Sequence, residues 1–171
     1  TPYKNKWLEH FDPQQIKVEK KLETDSFVSI DSSLPTLEEI GFQKSETKVQ
    51  EYDLSVVDNY SETRNFPTLN GTSKLSVHLR FGTVSIREIA KQAESHENIT
   101  YLKELIWREF FICILYHYPK VVDHNFNKKY DAIKWRNDKA DFEKWCAGKT
   151  GYPLVDAGMR ELNQTGFMHN R

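Results

Sequence analysis

The order of apolar and polar positions along the chain predicts helices, and the longest such pattern runs over residues 101–116. At about 100° per residue, apolar side chains point to almost every side of this helix, which is typical of a helix packed between other elements. Three of its charged residues, Glu104, Arg108 and Glu109, therefore need partners or a polar ligand. Two interpretations stay open: an ion-paired core helix, or a helix whose Glu104, Trp107 and Arg108 face a cavity.

Shorter helices are predicted on both sides of the long one, and no strand pattern competes with them, so the predicted fold is all-α. A capping box at Ser85–Glu88 and a break at Gly82 support two of them. The predicted helices are a short one in LPTLEEIGF between Pro35 and Gly41, then 46–62, 77–81, 86–93, 140–147, and one from Pro153 to Gly166.

The length of 171 residues is sufficient for one domain that buries roughly 70% of its unfolded surface. Residues 1–33 lack a core pattern and are predicted to be the end of a preceding domain followed by a linker, whereas residues 34–171 form the helical region. Because MHNR follows directly on a helix, the end of the chain is expected to be a truncation point.

Composition limits the classes of function. Nothing in the sequence is typical of a membrane span or a signal peptide, and Cys113 and Cys146 are isolated thiols without metal-ligand spacing. We therefore expect a cytoplasmic monomer without membrane contact, disulfide or metal site. The net charge of −1 does not indicate nucleic-acid binding, so such a function must depend on local arrangement.

One loop has the composition of an anion site. The pair Asn70-Gly71 is followed by Thr72, Ser73 and Ser76, with Lys74 among them and a helix after them. The alternative is that these hydroxyls only cap and turn the chain, and the loop alone does not decide between the two. The later segment GKTGYP lacks the first glycine of a P-loop, which excludes that motif.

Four segments, in this order and spacing, resemble the family of DNA photolyases and cryptochromes. They are TPYKNKW, YSETRNFPTLNGTSKLSVHLRFGTVSIRE, ELIWREFF and W-x9-W-x2-GKTGYPLVDAGMRELNQTGFMHNR. The resemblance covers most of residues 60–171. It implies a helical FAD-binding region after an α/β domain that carries an antenna chromophore of folate or deazaflavin type. It also implies further helices beyond residue 171, so this chain alone is expected to bind FAD weakly or not at all.

The resemblance also implies roles for individual residues. Those matching FAD-binding positions are Tyr60, Thr72, Ser73, Lys74, Leu75, Ser76, Tyr101, Glu104, Arg108 and Asn170. Those matching DNA-contacting positions are Arg64, Trp107 and Arg171. The chemistry is assigned to Glu104, Trp107 and Asn170, with Trp135 at the surface end of an electron-transfer chain. Two positions depart from the family pattern: Phe167 replaces the usual Trp, and Gly158 replaces the usual Ala.

The implied activity is light-driven repair of cyclobutane pyrimidine dimers in damaged DNA, a carbon–carbon lyase reaction that uses an electron from reduced FAD. The protein would extrude the dimer into a pocket, where Trp107 gives its bases a stacking platform. One alternative is a blue-light photoreceptor of the cryptochrome type, with the same fold. Another is a helical interaction module that binds neither flavin nor DNA.

Overall fold

The computed structural model describes residues 1–17, 25, 27–29, 33–96 and 99–171, and within these ranges the chain is helical without strands. The all-α prediction is therefore confirmed. No helix in the same ranges is long and apolar enough to cross a membrane. The helices are α1 Pro2–His10, α2 Tyr60–Thr63, α3 Ser76–Phe81, α4 Ile86–Ser95, α5 Ile99–His117, α6 Lys139–Cys146 and α7 Pro153–Thr165. Short 3-10 turns lie at Pro13–Gln15, Ser55–Val57, Pro119–Val122 and Lys128–Tyr130.

The core lies along the first half of α5, where Leu102 and Ile106 are buried. Helix α4 packs on this half of α5 through Ile89 and Ala93. The apolar periodicity of α4 accounts for this packing, because α4 turns its one apolar face toward α5. The remaining buried members of the core cluster come from the loops and from α4 and α5, namely Val57, Leu75, Ala90 and Tyr101.

Helix α1 also packs on α5, against the same core cluster, and provides partners for Glu109. The indole nitrogen of Trp7 donates to Glu109 Oε2 at 2.7 Å, and the Tyr3 hydroxyl donates to Glu109 Oε1 at 3.4 Å. The Tyr3 ring meets Phe110 edge-on, with centroids 5.1 Å apart. Contact with Cys113, burial and the nearby carboxylate all raise the pKa of Tyr3. The domain boundary at residue 33 stays a prediction, since most of the expected linker lies outside the described residues.

Local signals set the helix ends as predicted. The Ser85 side chain accepts from the backbone N–H of Glu88 at 3.5 Å, and α4 begins at the next residue, Ile86. Gly82 and Gly166, at φ +67° and +72°, end α3 and α7 in the left-handed conformation that glycine adopts without steric cost.

Two predicted helices are wrong. Residues 46–54 are irregular, and the predicted range 46–62 holds only the 3-10 turn Ser55–Val57 and the first residues of the short helix α2, which runs to Thr63. The backbone here pairs elsewhere: Asp53 N–H donates to the Ser73 carbonyl at 3.0 Å, and the Gln50 carbonyl lies 3.0 Å from His78 Nε2. The segment LPTLEEIGF makes one turn, closed by Phe42 N–H to the Leu37 carbonyl at 2.9 Å. Its apolar side chains are exposed, so no packing offsets the cost of nucleating a helix.

Candidate functional site

The loop over residues 70–76 is held close to α2 by a glycine. A Cβ atom on Gly71 would lie 2.6 Å from both Cβ and Oγ1 of Thr63, so only glycine fits at this distance. The Thr63 hydroxyl donates to the Asn59 carbonyl at 3.0 Å, which fixes its side chain. The close approach of two backbones therefore sets the position of the loop.

Within the loop, the side chains alternate between the core and the surface. Ser73 and Leu75 are buried, whereas Thr72 and Lys74 are half-buried and Ser76 is exposed. The Ser73 hydroxyl accepts a hydrogen bond from the Tyr101 hydroxyl at 2.7 Å, so it is engaged inside the protein. The outward groups available to an anion are the hydroxyls of Thr72 and Ser76 and the ammonium of Lys74.

Two tyrosines form the wall beside the loop. The Tyr60 and Tyr101 rings meet edge-on with centroids 5.0 Å apart, which is a favourable aromatic arrangement. Burial raises the pKa of Tyr101 to about 12, although the hydrogen bond to Ser73 opposes this shift. Burial also raises the pKa of Tyr60, with a further contribution from Glu104. Both hydroxyls therefore stay neutral at physiological pH.

An ion pair lies beside Tyr60 in the wall that the two tyrosines form. Arg64 Nη1 pairs with Glu104 Oε1, and the Arg64 guanidinium lies 5.6 Å from the centroid of the Tyr60 ring. The hydrogen bond with Glu104 is the largest cause that raises the pKa of Arg64. The interpretation of α5 as an ion-paired helix therefore holds for Glu104.

The other two candidate site residues on α5, Arg108 and Trp107, point away from this wall. Arg108 Nη2 donates to the Leu79 carbonyl at 3.4 Å, which ties α5 to α3. Trp107, 43% exposed, lines a groove of about 520 Å³ beside α1, with Tyr3 and Phe110 among its other walls. Glu104, Trp107 and Arg108 thus have different neighbours in the described part of the chain, which disagrees with the second of the two open interpretations, that all three face one cavity.

The C-terminal segment returns to the loop. The Lys74 ammonium lies 3.7 Å from the centroid of the Phe167 ring. Arg171 Nε donates to Asn65 Oδ1 at 2.8 Å, and Asn65 directly follows Arg64 in the chain. Asn170 is exposed. Residues 60–76, α5 and 167–171 therefore lie together, whereas Trp135 is exposed in a separate segment between α5 and α6.

Three contributors were not assigned a role from the sequence. Thr63 and Gly71 set the approach of the loop, and the turn pair Asn70-Gly71 signalled only the turn. Phe167 was noted as a departure from the family pattern, without a partner. At the second departure, a Cβ on Gly158 would lie 3.2 Å from Met168 Sδ, so the glycine makes room for Met168.

Comparisons with known proteins agree with this arrangement. Residues 101–171 match the family model described as the FAD binding domain of DNA photolyase. A deoxyribodipyrimidine photo-lyase from Halobacterium salinarum is 37% identical over 174 residues, covering 88% of this chain and 36% of the relative. A class III photolyase structure from Agrobacterium tumefaciens is 40% identical at a TM-score of 0.62, covering 68% of this chain and 26% of that one. A Synechocystis cryptochrome structure is 29% identical at a TM-score of 0.59, covering 84% and 35%.

The fold and the site define an all-α region that brings a hydroxyl-rich loop against a wall of two tyrosines and an ion pair. Together with the matched family model and the relatives, they place it in a known class. The chain belongs to the DNA photolyase and cryptochrome family. It spans about a third of the length of the curated relative from Halobacterium salinarum.

Proposed function

We propose that this chain supplies one part of the FAD and DNA site of a light-driven lyase that splits cyclobutane pyrimidine dimers. The observation that carries the proposal is the joining of loop 70–76 to α5. The hydrogen bond from Tyr101 to Ser73 and the pair of Arg64 with Glu104 link positions 28 and 40 residues apart. Residues assigned to FAD or to DNA from separate segments of the sequence are thus in direct contact.

The residues present fit the diphosphate and an aromatic ring of FAD. Thr72, Lys74 and Ser76 offer two hydroxyls and an ammonium to phosphate oxygens, which prefer such donors. Gly71 lets the loop approach α2 without a side chain between them. The Tyr60 and Tyr101 rings form an apolar wall beside these donors. When bound, reduced FAD supplies the light absorption and the electron for ring opening.

In this proposal the chain's own residues bind and orient the dimer and the flavin. In this proposal Glu104 accepts hydrogen bonds from the extruded dimer, and its carboxylate is held in place by Arg64. Arg108, fixed on the Leu79 carbonyl, contributes positive charge beside the flavin site. Asn170, exposed near the end of the chain, offers an amide to the flavin or the lesion.

For DNA, the proposal separates stacking from phosphate contact. Trp107 is exposed enough to stack on an extruded base, and such stacking contributes about 1–3 kcal/mol per base. The positively charged side chains of Arg64 and Arg171 contact the phosphates of the DNA backbone. Trp135, 71% exposed, has the solvent access required of a residue that relays electrons from an external reductant.

The test is dimer repair under blue light by a protein of family length that contains this chain, with its flavin chemically reduced. Trp107→Ala should weaken binding to dimer-containing DNA roughly tenfold, since about 1.4 kcal/mol is a factor of ten, and change binding to undamaged DNA little. Trp135→Phe is the control, because it should block photoreduction of oxidised flavin and leave repair by the reduced protein intact.

Absence of repair by the wild-type protein with reduced flavin bound would contradict the proposal. That result would favour the second candidate, a blue-light photoreceptor, for which the likeness to the Synechocystis cryptochrome is the supporting observation. The antenna chromophore stays a prediction. A monomeric state also stays a prediction, and so does a cytoplasmic location, which the two free thiols Cys113 and Cys146 support.

A further inference from the structure

One side chain of the loop adopts an uncommon backbone conformation. Lys74 has φ +57°, in the left-handed region that residues with a side chain rarely occupy. Its ammonium reaches the face of the Phe167 ring, 3.7 Å from the centroid. A cation at this distance over an aromatic face is attracted by the electrons of the ring. The left-handed turn at Lys74 thus accompanies a specific contact between residues 93 positions apart in the chain.

The ring that receives Lys74 is itself fixed. Gly166 ends α7 at φ +72° and turns the chain toward the loop. The Thr165 hydroxyl accepts from the backbone N–H of Phe167 at 3.2 Å and also donates to the Glu161 carbonyl at 2.8 Å. Thr47, from the irregular segment before α2, packs beside Gly166. The backbone that carries the Phe167 ring is therefore held in place by these contacts.

We infer that Phe167 is a positioning residue that holds the Lys74 ammonium beside the loop for the diphosphate of the bound dinucleotide. The inference rests on the proposed function, which assigns that diphosphate to the loop. Contact with the ring face leaves the N–H donors of the ammonium free for phosphate oxygens on the other side. A free lysine side chain would lose rotamer freedom when it binds, and a lysine already held on the ring loses less.

A series of substitutions separates the ring's attraction for a cation from simple packing. Phe167→Leu keeps an apolar side chain and removes the ring, so affinity for a diphosphate should fall roughly two- to fivefold, the range of one exposed cation–π contact. Phe167→Trp should keep or improve the affinity, because the indole attracts cations best. Phe142→Leu is the matched control, since the exposed Phe142 ring stacks on Trp145 in α6.

The measurements are made by NMR on a protein of family length that contains this chain, freed of its flavin, because the chain alone is expected to bind a flavin dinucleotide weakly or not at all. In the free protein, the ε-methylene protons of Lys74 should show an upfield ring-current shift that Phe167→Leu abolishes and Phe142→Leu leaves unchanged. Titration with ADP, which carries a diphosphate without a flavin, then gives the dissociation constant of each variant. The loss of affinity caused by Phe167→Leu should disappear when Lys74 is already replaced in Lys74→Met, because the ring then has no cation to position.

Each outcome decides a separate point. The inference is overturned if the ring-current shift is missing, or if ADP binds the wild type while Phe167→Leu leaves or increases its affinity. An equal loss in the Lys74→Met background also overturns it, since Phe167 would then act through packing alone. If ADP does not bind the wild type and does not shift residues 72–76, the proposed diphosphate site is itself wrong.

Discussion

The ion pair of Arg64 and Glu104 allows a quantitative test of the wall beside the loop. Their side chains are 23% and 39% exposed, so the pair lies between a surface ion pair, at about 0.2–1 kcal/mol, and a buried one, whose disruption costs about 3–5 kcal/mol. For this half-exposed pair we expect a coupling free energy of about 1 kcal/mol between Arg64→Met and Glu104→Gln. Arg64→Met alone should cost about 1–2 kcal/mol, because it leaves the carboxylate half-buried and unpaired.

The assay is urea unfolding of the wild type, the two single variants and the double variant. Lys6 and Glu9 form an exposed pair on α1, with side chains 70% and 60% exposed, and the same cycle there should give no more than about 0.5 kcal/mol. Salt should reduce the coupling of both pairs, and that of the half-buried pair less. If the Arg64 and Glu104 variants are additive within about 0.3 kcal/mol, the pair does not stabilise the wall and the reasoning fails.

Three further perturbations test the same region and the α7 turn. Gly71→Ala should destabilise the protein by about 1–3 kcal/mol in urea unfolding, because the new Cβ overlaps Thr63; an unchanged stability would show that the two backbones can separate. Wild-type stability should fall as the pH rises from about 10 toward 12, because deprotonation of Tyr101 favours the unfolded chain; melting curves of Tyr101→Phe should lack this part of the fall. Hydrogen bonds from Thr150 lower the pKa of Asp156, so its ionised carboxylate stabilises the folded protein at neutral pH, and this stabilisation is lost as the pH drops below about 3.8. Asp156→Asn should therefore be less stable than the wild type at neutral pH and lose less stability on acidification.

Helices with their own packing face and end signals could be predicted from the sequence. Helix α5 was found because apolar residues recur through residues 101–116, and α7 because Pro153 begins it and Gly166 ends it. Residues 46–54 could not be predicted, since their conformation depends on the Ser73 carbonyl and on His78, which lie far along the chain. Local periodicity contains no information about such partners, and tertiary hydrogen bonds here outweigh a moderate helical pattern.

The same holds for the site: the sequence indicated which residues belong to it, but it did not indicate which of them contact one another. Resemblance to the family brought together the residues that the structure places around the loop, from Tyr60 to Ser76. It assigned Arg64 to DNA and Glu104 to the flavin pocket separately, and gave no sign that the two form a pair. The direction of Trp107 was also missed, although its position on α5 is only about 60° from that of Glu104. What lies beside each position depends on α1 and α2, whose placement periodicity does not specify.

Helix α5 is apolar on almost every side, and such a helix has no amphipathic stripe to select its orientation in the core. Three of its charged residues provide that selection, because each contacts a different element: Glu109 contacts Trp7 of α1, Glu104 contacts Arg64 at the end of α2, and Arg108 contacts the Leu79 carbonyl of α3. Rotation of α5 by one residue, about 100°, would separate all three contacts at once. The polar contacts therefore fix the face that α5 presents to loop 70–76, and the hydrogen bond from Tyr101 to Ser73 forms only in that orientation.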